Sequence, residues 1–321
     1  MPRKGDKISL RHSDDRQLCM LSLPALVWYI VFCYLPMFGL VIAFKKYRVA
    51  PGKGFLWSFI HNSEWCGLDN FRFLFANNAE TTIRILLNTV GYNALFILLD
   101  IAIPVVLAII LERVYSRRLA RFGQAALLLP HFLSWVVVGY FVYAFLATDN
   151  GLINRLLTTV GLSPVRWYQK EASAAWPFFF VLLHLWKSTG FGVVIYLAAI
   201  KGIDSSIYDA AMIDGASCGQ QTRYITLPLL KRVMLVMLTL SVGRIFYSDF
   251  GLFYRTTRNA SSLTPVFQTI DVYVYNSLFN TSRPVYGYIS AAGFLQSVLG
   301  CAMMLMVNAV IRKTDYSARL F

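Results

Sequence analysis

The sequence predicts an all-α integral membrane protein of about six transmembrane helices, and three observations carry that prediction. Hydrophobic residues make up 57% of the 321 and charged residues only 14%, where a soluble domain carries about 25% charged residues. Mean hydropathy is +0.55. Apolar runs long enough to cross a hydrocarbon core, which takes about 20 residues, recur at 18–44, 83–111, 123–147, 175–200, 230–251 and 285–311. The expected layout is a polar tail at 1–17, a membrane domain at 18–311 and a second tail at 312–321. No fixed-period repeat, low-complexity stretch or second soluble domain interrupts it.

Residues 1–17 hold five Lys or Arg. The apolar run after them exceeds the roughly 7–15 residues of a cleavable signal core and has no small-residue cleavage site, so it reads as a retained first span. Pro24 and Pro36 should bend it. Residues 45–82 form an aromatic-rich extramembrane segment, as expected of interfacial anchors. Pro104 and Pro130 are the clearest breaks in later spans, of a kind transporters tolerate because neighbouring groups re-satisfy the freed backbone.

The formal net charge is +14. With the basic residues scattered over loops and no base-reading motif, the excess suits anionic lipid headgroups and an acidic surface rather than nucleic acid. Cys19, Cys33, Cys66, Cys218 and Cys301 form no C-x-x-C, so no disulfide or zinc framework follows. His12, His61, His131 and His184 have no i, i+4 partner. Metal ligation and metal catalysis are therefore unsupported, no catalytic residue is assigned, and His131 and His184 read as hydrogen-bonded core residues.

Orientation follows from charge and parity. Segments on the N-terminal side, with Lys231 and Arg232, hold 16 of the 30 Lys and Arg, and the three longer opposite loops hold 11. The bias puts both termini in the cytoplasm, although Lys45 and Lys46 follow the first span on the outer side. After four spans the 201–229 loop returns to the cytoplasmic face.

That loop contains a polar island, Asp209 to Pro228, reading D-A-A-M-I-D-G-A-S-C-G-Q-Q-T-R-Y-I-T-L-P. Ser206 three residues before Asp209 predicts a helix start, with Asp209 in the first turn. Tyr208, Ala211 and Met212 form a narrow apolar stripe. Gly215 supplies a positive-φ stop. A second short helix is expected from Ser217 to Tyr224, with Pro228 marking the return to the membrane. Small residues here let another surface approach the backbone.

The stretch resembles the cytoplasmic coupling loop, or EAA motif, of ABC-importer permeases, lying between spans four and five. Asp209-Ala210-Ala211, Asp214-Gly215-Ala216 and Ile225, Leu227 and Pro228 match in order and spacing, with Asp209 replacing the commoner Glu and keeping its charge. Leu129–Val137, Trp186–Gly192, Ile195–Asp204 and Asp271–Tyr275 extend the likeness to oligosaccharide-uptake permeases of the maltose type, and most to the branch taking polysaccharide-derived sugars. Gly67–Phe71 looks like the segment such permeases carry before their second span. The resemblance implies a multi-pass permease of a prokaryotic plasma membrane. Its implied partners are a second permease subunit, two copies of an ABC ATPase, an extracellular solute-binding protein and a sugar or oligosaccharide.

No G-x-x-x-x-G-K-[ST] occurs in the chain, so it is expected to bind no cofactor and to leave ATP and Mg to the partner ATPase. Substrate-pathway candidates are Trp135, Tyr140, Trp186, Lys187, Phe191, Tyr247 and Tyr273, since sugars bind aromatic faces and placed polar groups. Most such aromatics pack helices or face lipid, so each competes with that role. Asp100, Lys187 and Arg244 sit near mid-span, where each costs about 2.5–3.5 kcal/mol on insertion scales. They are either interhelical pairs or substrate contacts. Basic outer loops suggest an anionic, uronate-containing oligosaccharide. An ion-driven secondary transporter would want paired acidic relays, and a membrane-embedded transferase clustered acids or His at one face; the sequence offers neither.

Overall fold

A computed structural model describes residues 6–72, 79–279 and 286–314. Contacts divide the chain into two units, one of residues 1–73 and 283–294, the other of 74–282 and 295–321.

In the first unit, helix α1 (Asp6–Tyr29) begins inside the segment read as a polar tail. It continues as a π turn at Ile30–Tyr34 and a 3-10 segment at Leu35–Phe44. The register change falls where Pro36 needs it, because its ring would meet the carbonyl four residues back, at Phe32. The short strands β1 (Lys45–Lys46) and β2 (Glu64–Trp65) pair antiparallel, flanking helix α2 (Phe55–His61). Lys45 is buried, donates to the Phe59 carbonyl at 2.7 Å and lies 4.4 Å from that ring's centre. Its charge serves this small subfold, which accounts for a Lys that ran against the orientation rule. Buried Asn70, in the G-L-D-N-F phrase, donates at 2.9 Å to the carbonyls of Ala43 and Lys45 and so ties off the end of the first helical run.

The second unit is built on α3 (Ala79–Glu112) and α7 (Trp176–Lys201), its most extensively packed helix pair. Pro104 lies inside α3 without ending it, correcting the expected break there. Gly192 packs against the Pro104 ring, where a Cβ would come within 2.9 Å. The run at 123–147 is not one straight span. Helix α4 (Arg117–Leu128), a 3-10 turn at Leu129–Phe132 and helix α5 (Trp135–Leu146) replace it, and the pair bends by 94°. Pro130 and the Ser134 cap, which accepts from Val137 N, explain the bend. Five helices among the described residues are long and apolar enough to span a membrane, six if the bent pair counts as one.

After α6 (Leu152–Thr159) and α7 come α8 (Ser205–Ile213) and a helical run from α9 (Cys218–Gln221) through a π turn at Thr222–Thr226 into α10 (Leu227–Val242). The predicted fifth span at 230–251 therefore starts earlier and stops earlier. Residues 243–249 are non-helical, and α11 (Phe250–Thr257) follows as a separate helix. Borrowed partners stabilise the unwound segment: Asn93 donates to the carbonyls of Ile245 and Tyr247 at 2.8 and 3.0 Å, and Gln296 to that of Phe246 at 2.7 Å. Asp271 accepts from the Ser248 N–H at 2.6 Å and from its hydroxyl at 2.7 Å. Unwound backbone at membrane depth is tolerable only with such partners. Short helices α12 (Thr264–Phe267) and α13 (Ile270–Phe279) precede α14 (Tyr286–Thr314).

The main core of this unit gathers Phe96, Val142, Trp176, Phe180, Phe253 and Phe267, with the Phe180 and Phe253 rings 4.8 Å apart. A second core under the polar island joins Val105, Ala108, Tyr196, Ile200 and Leu230. Large apolar side chains such as Phe38, Leu98, Phe178 and Val310 are exposed, as expected where lipid is the solvent.

Candidate functional site

Two sites emerge in the second unit. The first is the polar island. Its helix α8 starts two residues earlier than expected: Asp204, not Ser206, is the N-cap, and its carboxylate accepts from Ser206 N at 2.9 Å. That bond holds the Asp204 carboxyl below the usual range. Asp209 consequently sits in the second turn rather than the first. The stop at Gly215 is as read, with φ of 76°. Ala216 N donates to Ala211 O at 2.9 Å and Gly215 N to Met212 O at 3.0 Å, the paired bonds of a Schellman motif. Ser217 and Gln220 then form a reciprocal capping box. The second helix does not end at Tyr224. A π turn lets the chain pass Pro228 without a break, because the shifted ladder spares the carbonyl its ring would strike.

Asp209, Ala210, Asp214 and Gly215 are exposed, while Ala211 and Ala216 are half-buried. The predicted stripe is split: the Tyr208 hydroxyl shares a 2.9 Å hydrogen bond with Thr226 Oγ1, whereas Met212 and Ile213 are exposed. Ile225 is half-buried, and Leu227 and Pro228 are exposed. Arg113, just beyond α3, donates to the Cys218 carbonyl and to Thr222 Oγ1. It was not legible as a partner of this loop, because a lone Arg after a span does not reveal which loop folds back upon it.

The second site lies where α5, α7 and the unwound segment meet. Asp100 accepts from Ser188 Oγ at 2.7 Å and pairs with His184 Nε2 at 2.9 Å, while the His184 ring stacks on Phe96 at 3.9 Å. Thus Phe96 and Asp100, one turn apart on α3, meet His184 and Ser188, one turn apart on α7. Lys187 donates to the His131 carbonyl at 2.8 Å and lies 5.4 Å from the Trp135 ring centre. His131 stacks on Phe191 at 5.1 Å. Trp135 Nε1 donates to Asp249 at 2.7 Å, and Asp249 also caps α11 through Gly251 N and Leu252 N. Close backbone approach makes the arrangement possible: a Cβ on Gly190 would collide with Leu127 O, and one on Gly251 with the Trp135 ring.

Of the seven predicted pathway residues, Trp135, Lys187 and Phe191 come together here. Tyr247 lies on the unwound segment, its hydroxyl 2.7 Å from Ser297 Oγ. Tyr273 is half-buried on α13. Tyr140 is exposed on α5, and Trp186 lines an apolar groove of about 480 Å³ with Phe141, Phe145 and Leu182. Arg244 is exposed in the turn after α10, correcting its mid-span reading. His131 and Asp249 complete the cluster without having been singled out for it, since only the chain break at 133–134 and the unwound 243–249 segment bring them in.

Residues 100–316 match the family described as the binding-protein-dependent transport system inner membrane component. The chain belongs to that family. This membrane subunit is 32% identical over 308 residues to Protein LplB of Bacillus subtilis (strain 168), covering 94% of this chain and 90% of the relative. It is 31% identical to the polygalacturonan/rhamnogalacturonan transport system permease protein YteP of the same organism, over 97% of this chain and 92% of the relative. Among solved structures it superposes with TM-score 0.79 and 29% identity on a chain of a bacterial ABC transporter involved in the import of the acidic polysaccharide alginate, covering 97% of this chain and all of that one. The matched region takes in the polar island and all of the second site but Phe96.

Proposed function

We propose that this family member is the permease subunit of an ATP-driven ABC importer for a carboxylate-bearing oligosaccharide, coupled to a separate ATPase through α8. The observation that carries this reading is the geometry of α8: a short helix closed at both ends, exposed along Asp209, Ala210 and its C-cap Asp214, with Tyr208 tying it to Thr226 while Arg113 fastens α9 and the π turn to the end of α3. A rigid, small-residue surface of this kind suits docking in a groove of another protein. Closing that groove would drive α7 and α10, attached at either end of the loop, in a rigid-body rocking motion. The chain has no phosphate-binding loop of its own, so ATP and Mg belong to two copies of the partner ATPase. Both termini and the 201–229 loop are cytoplasmic. A second permease completes the pathway and an extracellular solute-binding protein delivers the sugar.

Names of the relatives support an acidic cargo, as do the basic outer segments. Trp135, Lys187 and Phe191 line the pathway, with the aromatic faces on the sugar rings and the ammonium on a carboxylate or hydroxyl. The test is reconstitution with and without the co-expressed ATPase. Uptake of radiolabelled tri-galacturonate that needs the ATPase and added nucleotide is expected. Uptake by the purified permeases alone, driven by a proton or sodium gradient, would overturn the proposal.

A further inference from the structure

Beyond both sites, α5 and α11 enclose a cleft that neither uses. The helices touch at Gly139, where a Cβ would come within 2.8 Å of the Arg255 carbonyl oxygen. This close approach sets Arg255 beside the tyrosines of α5. Two adjoining hollows result. The first, about 270 Å³, is lined by Tyr140, Tyr143, Tyr254, Arg255 and Arg258. The second, about 450 Å³, shares Tyr143 and Arg258 and adds Tyr168 and Asp149. Their size suits a small ligand rather than a flat protein contact.

Two further observations single out the arginines. The Arg258 guanidinium lies 4.0 Å from the Tyr143 ring centre and that of Arg255 5.5 Å from the Tyr254 ring centre, yet among the described residues neither forms an ion pair. Arg258 also occupies the left-handed region, φ 55°, just after α11, with Asn259 beside it at φ 53°. Glycine or asparagine is the favoured residue at such a helix end. An arginine there answers to its side chain and not to the backbone.

The cleft stands at the far end of the bundle from α8. Helix α7 has 26 residues, about 39 Å of helix at 1.5 Å rise per residue. Its Trp176 end packs on Tyr168, at 5.4 Å, and the Tyr168 hydroxyl donates to Thr256 O at 3.3 Å. Burial raises the Tyr168 hydroxyl above its ordinary range, so it stays a neutral donor. The Lys201 end leads into α8.

We infer that this cleft is a recognition subsite for an acidic sugar at the cargo-receiving end of the permease, with Arg255 and Arg258 pairing with the carboxylate and the tyrosine rings covering the sugar's C–H faces. Guanidinium forks match carboxylates bidentately, and aromatic faces bury the apolar side of a sugar ring. Asp149, on the second hollow, accepts from hydroxyls and repels a second carboxylate, which orients the chain of sugars. The inference rests on the carbohydrate-import reading and adds where the charge is read.

The assembled importer in lipid nanodiscs tests it with two probes, tri-galacturonate and its neutral methyl ester. Phenylglyoxal modification of Arg255 and Arg258, read by mass spectrometry, should slow about fivefold or more with the acid and not with the ester. Arg258→Asn, which suits the left-handed backbone, should cut acid uptake about tenfold and ester uptake less than twofold, the scale of one charged hydrogen bond. Arg258→Lys should restore part of the loss. Absence of protection, or equal protection by both probes, overturns the subsite. So does an equal loss of both uptakes in Arg258→Asn, the result expected of an interfacial anchor or of a docking face for the binding protein. Selective protection in an importer that moves neither probe would leave the subsite standing and remove the import reading. Uptake of both without protection would do the reverse.

Discussion

The polar island and the mid-bundle cluster hold their shape by different means. The island is local: Asp204, Gly215, Ser217 and Gln220 close its helices through bonds within a few residues, Tyr208 bonds to Thr226 inside the same loop, and Arg113 reaches it from outside. The cluster is non-local: Asp100 meets His184 across 84 positions and Trp135 meets Asp249 across 114. A locally closed helix stays rigid while its surroundings move, which suits a lever. A cluster assembled from four chain segments changes whenever those segments shift, which suits a pathway that opens and closes.

That contrast can be broken at several points. Gly215→Val forces a β-branched residue to φ 76°, a conformation costing about 1–3 kcal/mol or more, and should unseat the α8 stop. Uptake and substrate-stimulated ATPase activity should fall to background while membrane insertion persists; normal transport would show that α8 is no lever. If Lys187 lines the pathway as proposed, Lys187→Met should lower uptake about tenfold while shifting thermal unfolding little, since the ammonium is held by one carbonyl and the Trp135 ring and by no ion pair among the described residues. Unchanged affinity and rate would take Lys187 out of the pathway.

Smaller effects sharpen the comparison. Asp100→Ala should destabilise the purified protein by about 1 kcal/mol, typical of interhelical hydrogen bonds in membranes, and should do so even without substrate. Differential scanning fluorimetry reads this, and a variant with wild-type stability but lost transport would move Asp100 from packing to substrate contact. Ser217→Ala, which removes one half of the capping box, should cost about 1 kcal/mol locally. Faster amide exchange confined to 217–221 is the expected signature, and exchange rising across the cluster as well would deny the island its independence.

The fold was legible to the extent that it depends on composition and short-range chemistry. Six apolar runs, a Gly that must take positive φ and a capped polar island follow from side-chain hydropathy and backbone sterics, and residues 205–228 were readable to within a turn. The errors share a cause. Ser206 followed by Asp209 carries the helix-start signature, whereas Asp204, which has no acid at that spacing, is the residue that caps. The second short helix, expected to end at Tyr224, runs on through Pro228 because a π turn, which absorbs a proline, has no sequence signature. The runs at 123–147 and 230–251 read as straight spans because hydropathy is blind to direction. The interruption at 133–134 is closed by the Ser134 cap, and the one at 243–249 persists through Asn93, Asp271 and Gln296, which lie outside that run.

By itself the sequence determined that this chain lives in lipid, crosses it several times and presents one stiff polar elbow, because each of those properties is a sum over neighbouring residues. Only the tertiary structure decided which polar groups face one another: that Asp100 belongs with His184 and Ser188, that Trp135 belongs with Asp249 and Lys187, and that Arg255 and Arg258 line one cleft while forming no ion pair among the described residues. The physical reason is that a buried polar group is tolerable only with a partner, and in a bundle of bent helices that partner is chosen by where the bends fall.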